Sequence, residues 1–142
     1  MRKLVLLAVL IGFAAPALAQ EHYTDGPVWR VNYLSVKPGK FNDTLKDLRE
    51  NFNKVTATAK AQGVVQDYKV FINSTSDSPA DWDIATAVLY KGYGGMDGLA
   101  AKMEAITLAH YGTAEARTAA AEKREQLREV VMSRLAREIT LK

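Results

Sequence analysis

Apolar residues recur along this chain with two different periods. Phe41, Leu45, Leu48, Phe52, Val55 and Ala59 follow one another at intervals of 4, 3, 4, 3 and 4. That spacing puts all six on one face of a helix and leaves Lys46, Asp47, Glu50 and Lys54 outside. Lys37-Pro38-Gly39 ahead of it reads as a turn, and Gly63 behind it as a C-terminal stop. Met96, Leu99, Met103, Ile106 and His110, at intervals of 3, 4, 3 and 4, predict a second amphipathic helix ended by Gly112. Thr113 is placed to cap a third, Ala-rich helix running towards Leu127.

Between these helices lie shorter runs rich in β-branched and aromatic residues. Residues 28–36 (VWRVNYLSV), 64–72 and 82–90 read as strands. The polar segment 73–81 (NSTSDSPAD) carries turn chemistry throughout, and Gly92, Gly94 and Gly95 break the third strand. Residues 128–139 fit two patterns: Val131, Leu135 and Ile139 lie on one parity of a strand, while Leu127, Val131 and Leu135 also keep helical spacing. With a closing strand, the order is the split βαβ arrangement of an α+β domain, an antiparallel sheet with helices on one face. Val31, Tyr33, Val65, Phe71, Ile84 and Val88 occupy both parities of their strands. Neither sheet face therefore reads as fully solvated, and only one can take the helices. A second copy of the chain is the simplest cover for the other, which predicts a homodimer.

The N-terminus changes the electrostatic picture. Arg2 and Lys3 precede an apolar run, Pro16 interrupts it, and Ala17-Leu18-Ala19 fits a small-x-small cleavage site. Residues 1–19 thus read as a signal peptide, and the protein as an exported, periplasmic or secreted bacterial one. Residues 20–27, polar and containing Gly26-Pro27, read as a flexible arm, and 28–142 as one domain. The whole chain of 142 residues carries a net charge of +3; removing 1–19 takes Arg2 and Lys3 with it and leaves 123 residues at +1. The case for nucleic acid disappears with them, and no membrane association is expected after cleavage. The later basic residues, including Arg124, Arg128, Arg134 and Arg137, alternate with Glu125, Glu129 and Glu138 and read as a solvated surface. The absence of cysteine excludes disulfides, Cys-ligated metals and thiol nucleophiles.

The segment VWRVNYLSVKPGKFNDTLKDL resembles the opening of the dimeric α/β-barrel (ferredoxin-like) superfamily, in which a strand ends in Val-Lys-Pro-Gly and a long helix follows at once. Trp82-Asp83-Ile84-Ala85-Thr86 resembles the third strand of those proteins. The resemblance extends over residues 28–106 and is strongest to exported members of unknown function. It implies a fourth strand at 128–139 and a homodimer. It leaves the activity open, because the superfamily includes cofactor-free monooxygenases, haem-degrading enzymes and isomerases. Its haem-degrading members place an Asn on the first strand, a Trp on the third and a His on the following helix. Asn32, Trp82 and His110 have those types in that order.

His110, followed by Tyr111, continues the apolar face of its helix, where a general base could face a cleft. Arg30 and Asn32 share one strand parity, and such a pair can orient a carboxylate or an enolate. With Tyr68 and Trp82 these make the candidate ligand-binding set: Arg30, Asn32, Tyr68, Trp82, His110 and Tyr111. They suit a small, partly apolar ligand or, alternatively, an enzyme of the cofactor-free monooxygenase type. No cofactor and no metal are expected of the domain. One separate possibility is that cleavage after Ala19 exposes Gln20-Glu21-His22, whose nitrogens suit a square-planar Cu(II) or Ni(II). No phosphate loop, nucleophile elbow or His-Glu-x-x-His occurs.

Overall fold

The computed structural model describes residues 22–142. The leader read at residues 1–19 lies outside them. The first strand, β1 (Tyr23–Val36), ends at the Lys37-Pro38-Gly39 turn. A helical rod follows, made of α1 (Phe41–Asp47), one π-helical turn (Leu48–Phe52) and α2 (Asn53–Ala61). The rod stops in a Schellman motif: Gly63, at φ +70°, donates its N–H to Lys60 O, and Val64 N–H reaches Ala59 O at 2.9 Å. Val64 and Val65 are therefore used in the helix exit, and β2 (Asp67–Ile72) begins later than its apolar run suggests. After the polar loop come β3 (Ile84–Tyr90), a 3₁₀ turn (Tyr93–Met96), α3 (Leu99–Tyr111), α4 (Ala114–Glu125) and β4 (Arg128–Leu141). Thr113 caps α4 as its residue type predicts, its hydroxyl accepting from Ala116 N–H at 3.1 Å.

The strands form one sheet in the order β2-β3-β1-β4, and every neighbouring pair is antiparallel. With the helical connections this is the ferredoxin-like βαββαβ topology of an α+β fold, extended by α4. The ambiguous segment 128–139 is strand throughout, and β4 pairs with β1 from Arg128 opposite Val36 to Leu141 opposite Tyr23, with one shift in register between Tyr33 and Leu34 and another near the N-terminal end of β1. The flexible arm expected at 20–27 is corrected from residue 23 onward, since β1 already begins at Tyr23. Gly26-Pro27 sits at a shift in register between Asp25 and Val28, so it is absorbed as a bulge instead of ending the strand. A Cβ on Gly26 would lie 2.8 Å from Glu138 O, so only glycine lets the two strands approach there.

Alternation assigns the sheet's two faces. Leu34, Ile84 and Val88 pack under the helices. Val55, Ala59 and Ile106 from the helices join Tyr90 in one buried cluster, and Leu48 joins Leu34 and Ile84 in another. The residues between them face the other way and form three rows across the sheet: Phe71-Ala85-Tyr33-Met132, Lys69-Ala87-Val31-Arg134 and Asp67-Leu89-Trp29-Ala136. No helix of the described chain covers these rows. Nor is any described helix long and apolar enough to cross a membrane.

Candidate functional site

The helix-facing side of the sheet does not close completely on the helical layer. Between β1, the π turn, α3 and α4 lies a cleft of about 380 Å³. Its floor is apolar: Leu34 from the sheet, with Leu48, Phe52 and Val55 from the helical rod. Asn32, Thr86 and Thr107 add neutral polar groups, and Tyr111 with Arg117, Arg124 and Arg128 forms the polar wall. Ferredoxin-like topology alone would leave this edge open. The additional helix α4 makes the wall, because Arg117, Ala121 and Arg124 are spaced 4 and 3 and share one of its faces.

A chain of polar contacts runs from that wall, through Asn51, which also lines the cleft, to Asp47 and His110 behind it. Asn51, on the π turn, donates from Nδ2 to Asp47 Oδ1 at 2.7 Å. Its Oδ1 is 3.0 Å from His110 Nε2. An amide oxygen only accepts, so His110 must donate from Nε2, which leaves Nδ1 as the basic nitrogen of the neutral ring. The second oxygen of Asp47 accepts from Arg128 Nη1 at 2.7 Å and lies 3.6 Å from Arg124 Nε. Arg124 Nη2 in turn donates to the Tyr111 hydroxyl at 2.9 Å. Burial pulls the Arg128 guanidinium below its ordinary pKa, while the Asp47 hydrogen bond and charge oppose that; an arginine stays protonated regardless. Asn51 lies within the π turn, four residues after Asp47 and on the same helix face, and it bridges that carboxylate to His110 on α3.

The structure brings only part of the expected constellation together. Asn32 and Tyr111 line the cleft. His110 reaches it through Asn51 and packs edge-on against Tyr111, with ring centroids 4.7 Å apart. Arg30 shares the helix-facing side of β1 with Asn32, but its guanidinium lies over the ring of Tyr90, 5.8 Å from the centroid, away from the cleft walls. Burial raises the pKa of the Tyr90 hydroxyl, so that phenol stays neutral beside the guanidinium. Tyr68 is used in packing against Phe52. Trp82 precedes β3 and stacks edge-on with Tyr33, which belongs to the open face. The Asn-Trp-His ordering in the sequence is therefore not one site: Asn32 is in the cleft, His110 behind it, and Trp82 across the sheet.

Asp47, Asn51, Arg117, Arg124 and Arg128 were not among the expected residues. Asp47 was placed outside its helix by periodicity, yet α4 and the start of β4 cover it to 13% exposure. Arg124 and Arg128 read as a solvated surface because Glu125 and Glu129 alternate with them. The 117–121–124 spacing on a helix was the available signal.

No family model matches the chain, and no curated protein matches its sequence. Among solved structures, one similar to it is the crystal structure, at 1.85 Å resolution, of a dimeric protein of unknown function and ferredoxin-like fold from Bacteroides fragilis NCTC 9343. The two are 14% identical, the match covers 82% of this chain and 96% of that one, and the TM-score is 0.43.

Proposed function

We propose that this chain is an exported protein that works as a homodimer and binds a small, partly apolar molecule in the cleft between sheet and helices. The cleft carries the reading: an apolar floor of Leu34, Leu48, Phe52 and Val55 facing a few convergent polar groups is the usual composition of a small-molecule site, and about 380 Å³ falls at the small end of such sites. Export rests on the leader pattern at residues 1–19. The homodimer rests on the three uncovered rows of the sheet, whose Trp29, Val31, Tyr33, Phe71 and Met132 are apolar or aromatic.

Octanol, a small neutral amphiphile, tests the cleft in the exported protein. Calorimetric titration is expected to show saturable binding that disappears in Ala121→Trp, which places an indole in the cleft from an exposed helix position. No saturable binding, or binding indifferent to that substitution, rejects the reading. N-terminal sequencing of the exported protein should start at Gln20, and a chain that still starts at Met1 rejects the leader.

A further inference from the structure

The charge in the cleft wall identifies the ligand more narrowly, resting on the reading of the cleft as a binding site. Three guanidiniums line it, those of Arg117, Arg124 and Arg128, and no Asp or Glu lines it among the described residues. The nearest carboxylate, Asp47, lies behind the wall and is engaged mainly with Arg128, at 2.7 Å against 3.6 Å for Arg124. Glu104 approaches Arg117 at 3.6 Å but is 65% exposed, a contact that solvent largely screens. One partly buried carboxylate thus stands against three cations, and the cleft is left with a positive excess at one end and an apolar floor at the other.

We propose that the cleft selects a small amphipathic monocarboxylate, with its apolar body on Leu34, Phe52 and Val55 and its carboxylate held by Arg117 and Arg124. Both guanidiniums retain N–H donors after their contacts in the protein, since each has five. The forked donor geometry matches a carboxylate. Arg124 is also held in place before any ligand arrives, by the Tyr111 hydroxyl at 2.9 Å and by Asp47, which reduces the cost of ordering it on binding. Arg128 is the anchor of the wall, buried to 8% exposure and committed to Asp47.

The test compares octanoate with octanol on the exported protein and on Arg117→Gln and Arg124→Gln, with melting curves to confirm folding. Octanoate is expected to bind about tenfold or more tightly than octanol, as a charge-assisted hydrogen bond warrants, and less tightly as salt is raised. Each arginine substitution should lower octanoate affinity by about tenfold and octanol affinity by distinctly less, because a neutral hydroxyl loses only an uncharged partner. Arg117→Gln is the cleaner arm because Arg117 has no contact with Asp47. Ala121→Trp should abolish binding of both probes. Octanol binding as tightly as octanoate, or octanoate binding unaffected by both arginine substitutions, overturns the carboxylate assignment and leaves the binding cleft standing. Failure of both probes to bind overturns the two together.

Discussion

Asp47 shows how one side chain can set the state of several others. It accepts from Asn51 and Arg128 and faces Arg124, so it orients an amide, neutralises a buried cation and positions a cleft residue. Replacing it by alanine leaves Arg128, at 8% exposure, without its carboxylate. A loss of about 3–5 kcal/mol in urea unfolding is expected, the usual result of breaking a buried pair on one side only. The exposed pair Lys60–Asp67, at 2.8 Å, behaves differently. The hydrogen bond from Lys60 is the largest influence holding the Asp67 carboxyl below its ordinary pKa, followed by the Tyr68 N–H. A carboxyl with a lowered folded pKa adds stability above its unfolded pKa of about 4 and loses it as pH falls through the lower folded value. Asp67→Asn should therefore leave a flatter acid limb in melting temperature against pH, with the difference from wild type vanishing at the acid end. Neither interaction can be read from residue order: Asp47 and Arg128 are 81 positions apart.

The helices were legible element by element, because apolar residues at 3.6-residue spacing, a capping Thr113 and terminal glycines all act locally. The strands were legible in their centres and blurred at their ends. Val64 and Val65 look like strand but serve the helix exit, a distinction made by the backbone at Gly63. Residues 128–139 satisfy both periods, and pairing with β1 decides between them, since the edge of β1 takes up the segment along its whole length despite a shift in register between Tyr33 and Leu34. Gly26-Pro27 misled in the opposite sense, reading as a break where β4 turns it into a bulge. Gly26→Ala tests that account. Its methyl would meet Glu138 O at 2.8 Å, so backbone must move, and a loss of about 1–3 kcal/mol is expected, measurable in denaturant unfolding. Unchanged stability would mean that the β1–β4 ends separate freely. The arginine face of α4 was missed for a related reason: a helix face acquires meaning only from what it packs over.

At the scale of the whole molecule, one face of the sheet remains to be covered. Phe71 is 48% exposed and Met132 39%, at the two ends of a row that crosses all four strands through Ala85 and Tyr33. Light scattering at micromolar concentration should give twice the mass of one chain. Phe71→Asp, which puts a charge on an already exposed position of that face, should shift the protein to monomer with little change in chain stability. A monomeric wild type rejects a second copy as the cover. The same face separates two readings of Trp82: it belongs with Tyr33 on the uncovered side and takes no part in the cleft.

What the sequence determined by itself follows from short-range physics. Periodicity, caps and turns involve residues within a few positions of one another, and they sufficed for the α+β class and for the order of elements as far as residue 127. Tertiary structure decided the rest. Strand pairing resolved residues 128–139, the packing of α4 buried Asp47 and Arg128 together, and only the closed layer separated Asn32 and Tyr111, in the cleft, from Arg30, Tyr68 and Trp82, outside it. The physical reason is that charge, hydrogen bonding and dielectric at a site depend on distance in space. Residues far apart in sequence meet there only after the hydrophobic faces have closed.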